Sequence, residues 1–328
     1  MKIKIEEIRK ICMKILSNLD VKESQANIVL EEYLFGELSG KKSHGLSAFL
    51  SIVDKKEAFN NKWKIETDGP GFALINGNAC VGQLLGDFAM NLAVDKAKNQ
   101  GIAMVGMYNM HSYPIPGYYA MKAQKRGMIG VVIDNARSRV APFGGIDPKL
   151  GTNPIGLAIP SSDFVLDMAT AERAMGEVRL AKKLQTDLPE GMAMDKEGND
   201  ITDPEKFHAL HPFGGYKGYG LNLAIEILAG ALVNAKMGSK IQSGLDRGFL
   251  FIAINPEVFV SKETFAEQTN ELVGEVKSSK LKNNDNPIRI PGEKAHNNYT
   301  KATDEGEIEL DDIVFDNLKA LLEESNNS

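Results

Sequence analysis

One glycine-rich run constrains this chain more than any other part of its sequence. Residues 212–220 have the sequence PFGGYKGYG, and the apolar, helix-like residues 221–232 follow directly. Glycine lacks a Cβ, so its backbone can approach a ligand closely and adopt positive φ. A helix N-terminus adds unpaired N–H groups and partial positive charge, and Lys217 adds a full charge. The run predicts a turn and helix that cradle a phosphate or pyrophosphate; the alternative is a tight turn with a solvated lysine.

Composition and charge exclude several classes of protein. The chain has 328 residues, 43% of them hydrophobic and 25% charged, which is ordinary for a globular protein of two packed units. A net charge of −6 argues against nucleic acid as a partner. No apolar stretch approaches the ~18 residues that span a membrane, and the N-terminal residues lack the apolar core of a signal peptide. With Cys12 and Cys80 isolated from each other, we expect a cytoplasmic protein that needs no membrane.

Apolar runs alternate with turns through the middle of the chain. The predicted strands are 102–107, 128–133, 155–159, 164–168 and 249–254. Helical spacing of apolar residues predicts helices near 5–19, 82–100, 117–126, 264–278 and 310–324. Polar residues 279–286 are typical of an exposed linker. The pattern predicts an α/β fold with one substantial sheet.

Several familiar site motifs are absent from the sequence. The string Gly218-Tyr219-Gly220 lacks the third glycine of a dinucleotide-binding fingerprint, and there is no Walker A run or nucleophile elbow. None of the five histidines has zinc-site spacing, and His208 and His211 are interpreted as surface residues. We therefore expect no metal site. A nucleotide, if bound, would bind without the usual doubly wound fingerprint.

Seven segments together resemble one known family. They are SHG at 43–45, APFGG at 141–145, LGTNP at 150–154, LDMAT at 166–170, LPEG at 188–191, the run at 212–220, and PGE at 291–293. In order and spacing they resemble the malate/L-lactate dehydrogenase family of the second type, which is unrelated to the Rossmann-fold lactate and malate dehydrogenases. Ureidoglycolate dehydrogenase, 2,3-diketogulonate reductase and Δ1-piperideine-2-carboxylate reductase are also members.

The resemblance implies a fold, a cofactor and a reaction. The fold would be a non-Rossmann, nicotinamide-binding α/β fold with a large mixed sheet and helical N- and C-terminal regions. Residues 1–72 plus 285–328 would form a mainly helical domain with Ser43 and His44, and residues 73–284 a sheet-containing cofactor domain. The cofactor would be NAD or NADP, bound in extended form to a homodimer. The reaction would be hydride transfer with a small 2-oxo, 2-hydroxy or cyclic 2-imino acid.

The same resemblance implies which residues hold the cofactor. They are Asn153, Leu166, Asp167, Met168, Ala169, Thr170, Tyr216, Lys217, Gly218, Gly292 and Glu293. Tyr216 and Lys217 would face phosphates or ribose, and Gly292 and Glu293 would close over the cofactor together with Lys294. Carboxylates can accept hydrogen bonds from ribose hydroxyls. The alternative roles are a helix or turn cap for Asp167 and a surface acid for Glu293.

His44 matches the family's catalytic acid/base. Reduction of C=O or C=N requires a proton at the heteroatom, and a histidine with a pKa near the working pH can deliver it. A helix predicted to begin soon after His44 would lower its pKa. Ser43 and His111 would assist or orient it. The family's second histidine falls on Ser112, one residue after His111.

The sequence departs from the family in its substrate-binding residues. Family members commonly have an arginine four residues after the catalytic histidine and an aromatic residue four residues after that. This chain has Ala48 and Ile52 at those positions. It also has Gly176-Glu177 in place of the family's Gly-Lys pair soon after the LDMAT segment. A bidentate arginine contact is strong, so a carboxylate substrate would need another cation. Arg137 and Arg139 are candidates, as are Lys41 and Lys42; the alternative for all four is solvated loop charge. We expect a reshaped, more apolar pocket for a substrate other than malate or lactate.

Two functions of other classes stay open at the sequence level. One is a cofactor-binding family member that has lost catalysis and acts as a sensor or structural partner, since Ala48 and Ser112 replace two site residues. The other is a nucleotide-phosphate binder without redox chemistry. Glu177 near the cofactor segment favours NAD over NADP, because a carboxylate repels a 2′-phosphate.

Overall fold

A mixed seven-stranded sheet organises the fold in the computed structural model, which describes residues 1–282 and 287–326. The strands are β1 (Lys2–Lys4), β2 (Lys64–Gly69), β3 (Phe72–Cys80), β4 (Ile102–Met110), β5 (Ile129–Asp134), β6 (Ile155–Ala158), β7 (Val165–Met168), β8 (Ala193–Met194), β9 (Asp200–Ile201), β10 (Ala209–Leu210), β11 (Gly248–Ile254) and β12 (Glu307–Glu309). The large sheet has the order β2-β3-β4-β11-β5-β6-β7, and only β3 and β4 pair in parallel. The predicted α/β class with a large mixed sheet is confirmed.

Helices cover both faces of this sheet. They are α1 (Ile5–Asn18), α2 (Glu23–Leu38), α3 (Leu46–Phe49), α4 (Gly82–Gln100), α5 (Pro116–Lys125), α6 (Met175–Leu184), α7 (Tyr216–Ala229), α8 (Lys262–Lys277), α9 (Glu293–Glu305) and α10 (Asp312–Asn326). Helices α4 and α5 share a core with Val105 and Phe251 on one face, while Ile225 of α7 packs near Leu250 on the other. Strand β11 is therefore covered on both sides, which explains its nearly continuous apolar sequence. None of the described helices combines the length and apolarity needed to cross a bilayer.

The two ends of the chain fold together. Strands β1 and β12 pair with Ile3 opposite Ile308, and α1, α2, α3 and α10 contribute to one apolar core. The helical N- and C-terminal region thus packs as predicted from the resemblance. The predicted boundary after residue 72 falls one residue inside β3, which pairs with β2 within the large sheet. The predicted boundary at 284/285, and four residues of the expected linker 279–286, lie outside the described residues.

An edge strand of the large sheet forms one wall of the functional region. Strand β7 has only β6 as a strand neighbour within the described sheet, and its free side receives the segment before α9, where Val165 N–H donates to Pro291 C=O at 2.9 Å. Gly292 follows with a φ of 92°. A Cβ at Gly292 would lie 2.8 Å from the Val165 backbone nitrogen, so glycine is required for this approach.

Candidate active site

A cavity of about 600 Å³ holds His44. It lies where the N-terminal helical region meets the C-terminal end of β7. Six of the predicted site residues line it, namely Ser43, His44, Ser112, Asp167, Met168 and Ala169. The structure therefore brings together residues separated by more than 120 positions in the chain. We name this space the His44 cavity.

Close packing against α2 holds His44 in place. His44 ends a 3-10 turn, Lys42–His44, directly before Gly45 and α3. A Cβ on Gly45 would lie 2.7 Å from the Glu37 backbone nitrogen, and one on Gly36 would lie 2.8 Å from the His44 carbonyl oxygen. The buried Glu37 carboxylate also accepts a hydrogen bond from Leu46 N–H at 2.9 Å. The glycine of the SHG segment is thus a packing requirement that orients the histidine.

The His44 imidazole has a lowered pKa. Burial is the main cause, and the positive charge of Lys41 adds to it. The direction agrees with the sequence prediction, and α3 does begin two residues later, but the causes are burial and Lys41. Ser43 Oγ lies 2.9 Å from His44 Nδ1. This contact can fix the tautomer and leave Nε2 for a ligand.

A second cavity, of about 790 Å³, meets the first at Lys41, Ile115 and Asp167, which line both. The Lys41 ammonium pairs with the Asp167 carboxylate at this junction. Burial lowers the pKa of Lys41 to about 8, whereas the neighbouring Asp167 carboxylate favours the charged form of the lysine. Asp167 also accepts a hydrogen bond from Gly117 N–H at 2.9 Å. The two cavities form one long cleft with a charged junction.

The second cavity, here the Gly292 cavity, contains part of the predicted cofactor set. Leu166, Gly292 and Lys294 line it together with Asp167. Glu293 begins α9, and both of its carboxylate oxygens have protein partners: Lys277 Nζ at 2.9 Å and Ile290 N–H at 3.1 Å. The Lys277 contact is the largest cause of a lowered Glu293 pKa. Glu293 therefore tethers the segment that carries Gly292.

Two other predicted cofactor residues support the cavity wall from behind. Asn153 is fully buried, and its side chain bonds Ala136 N–H, Asn222 and Glu226. Thr170 is also fully buried and donates to the carbonyls of Thr152 and Asn153. Their neighbours Thr152 and Pro154 line the His44 cavity. Asn153 and Thr170 thus hold the loop that faces the cavity.

The glycine-rich run lies apart from this cleft. Tyr216, Lys217 and Gly218 form the first turn of α7, which begins five residues before the predicted helix 221–232, and Tyr216 is 64% exposed. None of the three lines either cavity of the cleft. Gly214 and Gly215 instead line a separate hollow of about 600 Å³ with Phe143. Within one chain, the run and His44 belong to different surfaces.

Of the four predicted substrate cations, only Lys41 lines the His44 cavity. Arg137 and Arg139 are exposed and do not line the His44 cavity. Among the described residues, four lysine and arginine side chains do line it: Lys41, Lys55, Arg179 and Arg247. The pocket is therefore more strongly charged than the predicted apolar one. Sequence reasoning included Lys41 but missed the other three, although Lys55 follows Ala48 by seven residues, or about two helical turns.

Arg247 is held firmly by three groups. It pairs with the buried Asp134 carboxylate, donates to the Asn135 carbonyl at 2.6 Å, and donates to Ser112 Oγ. Burial raises the pKa of Asp134 to about 6, against the opposing effect of Arg247. Ser112 therefore contacts a cation in the cavity wall. His111 is half-buried and does not line the cavity, and its pKa is lowered by burial and by the charge of Lys55.

The described part of the chain offers no metal centre. Within residues 1–282 and 287–326, no group of three or more His, Cys, Asp or Glu side chains is placed to hold a metal ion. The groups in the cleft are instead a histidine, ion pairs, cations and apolar walls. Such a set suits proton transfer and the binding of anionic organic molecules.

The fold, the cleft and the similarity to known dehydrogenases together identify the chain as an oxidoreductase of the dehydrogenase class. The chain belongs to the malate/L-lactate dehydrogenase family, whose sequence model matches residues 3–319. It is 40% identical to a malate/(S)-sulfolactate dehydrogenase of Methanothermus fervidus over 98% of this chain and 97% of the relative. It is 31% identical to an Escherichia coli ureidoglycolate dehydrogenase (NAD(+)), covering 95% and 94% of the two chains. The solved sulfolactate dehydrogenase of Methanocaldococcus jannaschii superimposes with a TM-score of 0.91 at 38% identity, covering 99% of this chain and 98% of the other.

Proposed function

We propose that the chain catalyses reversible hydride transfer between a nicotinamide cofactor and a small 2-hydroxy or 2-oxo acid that carries a second anionic group. The position of His44 in a cation-lined cavity carries this proposal. Relatives named as malate and sulfolactate dehydrogenases support it, because both of those substrates are dianions. Cyclic 2-imino acids are the second substrate class, since they also pair a carboxylate with a reducible carbon.

The cleft fits an extended dinucleotide. Ligand pockets for drug-sized molecules measure roughly 300–1,000 Å³, and the two joined cavities, at about 790 and 600 Å³, exceed what one such molecule needs. Leu166, Asp167 and Gly292 would hold the dinucleotide in the outer part, with Met168 and Ala169 beside His44. NAD or NADP, when bound, would supply or accept the hydride at the substrate carbon. The name of the E. coli relative supports NAD.

His44 would carry the proton. In reduction, its protonated ring donates to the substrate oxygen or nitrogen; in oxidation, its neutral ring removes the hydroxyl proton. Its lowered pKa keeps the ring mostly neutral near pH 7, which favours the oxidation direction. Ser43 would orient the ring through the Nδ1 contact. Ser112, which contacts Arg247, would orient this cation rather than replace a histidine.

We propose a homodimer in the cytoplasm. The surface of α7 and the turn after it exposes Leu223, Ile227, Leu228 and Leu232. A row of exposed apolar side chains is typical of an interface, and this row follows Tyr216 and Lys217 on the same helix. A second copy would cover it. Both cysteines are free and buried, which suits a reducing compartment.

The decisive experiment follows NADH and NADPH oxidation with oxaloacetate, pyruvate, 3-sulfopyruvate, 2-oxo sugar acids and piperideine-2-carboxylate. We expect turnover with at least one dianionic 2-oxo acid and its near-complete loss in His44→Ala. Tight NADH binding without turnover of any substrate would favour a family member that has lost catalysis and acts as a sensor. Binding of ADP-ribose as tight as that of NADH, again without turnover, would favour a nucleotide binder without redox chemistry.

A further inference from the structure

Lys55 is a cation whose charge the protein leaves unbalanced inside the His44 cavity. Of the cations that line this cavity, Lys41 pairs with Asp167 and Arg247 pairs with Asp134. Lys55 is half-buried and forms no ion pair or hydrogen bond with any described residue. Arg179 is also unpaired, but it is exposed to solvent on α6. Only Lys55 combines burial with the lack of a partner.

Glu32 and Asp54 attract Lys55, but burial outweighs them and lowers its pKa. Asp54 is exposed, and Glu32 is fully buried behind the cavity wall. The two Glu32 oxygens already accept hydrogen bonds from Ile115 N–H at 2.8 Å and Tyr119 O–H at 2.9 Å. Burial raises the pKa of Glu32 to about 8, so it is largely uncharged at neutral pH. Because a half-buried ammonium is costly without an opposite charge, the cavity favours an anion beside Lys55.

The position of Lys55 also suits the chemistry at His44. Ala48, Ser51 and Lys55 all line the His44 cavity, and they lie on α3 and the 3-10 helix Leu50–Phe59 that continues it. Ala48 has only a methyl group, so it leaves space in front of this wall. In a 2-oxo or 2-hydroxy acid, the carboxylate is bonded to the reacting carbon. The group that binds the carboxylate must therefore share a cavity with the proton donor.

We propose that Lys55 is the specificity-determining residue that binds the carboxylate adjacent to the reacting carbon. This inference rests on the proposed function and extends it. The lysine would bind as a point charge and fix the substrate so that its oxygen or nitrogen faces His44. The substrate carboxylate would in turn supply the counterion that Lys55 lacks.

Oxamate provides a direct test, because it carries a carboxylate next to a carbonyl and is not reduced. Its Kd is measured by calorimetry on the full chain saturated with NADH. Lys55→Met should weaken oxamate binding about 10- to 100-fold, the range expected for loss of a hydrogen bond to a charged group, while the NADH Kd stays unchanged. Lys56→Met is the matched control, since Lys56 does not line the cavity, and it should leave both constants unchanged.

A second-site variant separates binding from structural support. Adding Ala48→Arg to the Lys55→Met variant places a cation elsewhere on the same wall of the cavity. Oxamate affinity should then recover at least tenfold. No such recovery is expected if Lys55→Met weakens binding only by disturbing the structure. If the methionine variant does not fold, Lys55→Gln gives the same comparison with a neutral side chain.

Two outcomes would overturn the inference in distinguishable ways. An oxamate Kd within twofold of the parent in the neutral Lys55 variant, with normal NADH binding, would refute the role of Lys55 alone. A parent chain that binds neither NADH nor NADPH, and no oxamate in the presence of either, would refute the proposed function and this inference together.

Discussion

Gly45→Ala should displace His44, the proposed proton donor, without altering any group that is proposed to touch substrate. The new Cβ would lie 2.5 Å from Glu37 Oε2, 2.7 Å from the Glu37 backbone nitrogen and 2.9 Å from its Cα. Two of these atoms belong to the backbone of α2 and cannot rotate away. The turn that carries His44 must therefore withdraw from α2 by several tenths of an ångström, and the hydrogen bond from Leu46 N–H to Glu37 is strained.

The expected effect has two parts. Overpacking of this kind costs about 1–3 kcal/mol of folding stability. A shift of the acid/base by up to ~1 Å can lower turnover by ~100-fold. Cofactor affinity should change little, because Gly45 lines neither cavity of the cleft. The variant should thus lose kcat while it keeps the NADH Kd.

The assay compares kcat, the NADH Kd and urea unfolding for the parent chain, Gly45→Ala and a control. Gly274→Ala is a suitable control, because Gly274 lies within α8 and a Cβ added there would meet no heavy atom within 4 Å beyond its own helix backbone. The control should keep its activity and gain stability by up to ~1 kcal/mol from helix propensity. If Gly45→Ala keeps kcat within twofold of the parent, contact with α2 does not position His44.

Three further predictions follow from the same geometry. The pKa of His44 is lowered from 6.5. As pH rises through this lowered pKa the ring loses its proton, so kcat/KM for reduction should fall and kcat/KM for oxidation should rise. In pH–rate profiles, His44→Gln should abolish both of these changes with pH. Gly292 has a φ of 92°, and a Cβ added there would lie 2.8 Å from the Val165 backbone nitrogen. Because a non-glycine residue in the left-handed region costs ~1–2 kcal/mol, Gly292→Ala should weaken NADH binding roughly tenfold. An unchanged Kd in a fluorescence titration would contradict this prediction. Burial raises the pKa of Glu32 from 4.5 to about 8. The protonated carboxyl group should therefore contribute fully to the free energy of unfolding below pH 4.5, and this contribution should be lost as pH rises towards 8. Glu32→Gln should flatten this decline in urea midpoints, and an equal slope in both proteins would count against the prediction.

Local patterns in the sequence were sufficient for five of the seven strands of the large sheet, namely β4, β5, β6, β7 and β11. The apolar run that forms β11 predicts a buried strand because both faces of that strand are covered. His44 was singled out by the resemblance of its SHG segment, and its turn packs against α2 at Gly45 and Gly36. Five other elements were not predicted. Helix α6 buries only Val178 and Ala181, and α9 buries none of its described residues, so neither has a broad apolar face. Strands β8, β9 and β10 have two residues each, which is too short for a periodic pattern to be recognised.

The pairing of strands that are distant in the sequence decided which side chains meet at the site. Arg247 directly precedes β11, Asp134 ends β5, and Ser112 follows β4; because β11 pairs with both β4 and β5, the three side chains meet. No spacing in the sequence shows that order of strands.

The sequence by itself determined the class of fold, because apolar periodicity is a local property, and the resemblance of its SHG segment to a known family singled out His44 as the proposed proton-transfer residue. It also predicted a helix directly after the run, whereas α7 already begins within the run, at Tyr216. Only the tertiary structure decided which cations face His44. Lys55 lines the cavity while Arg137 and Lys217 do not. The physical reason is that a side chain's chemistry is local, but its neighbours are set by strand order and helix packing across the whole chain.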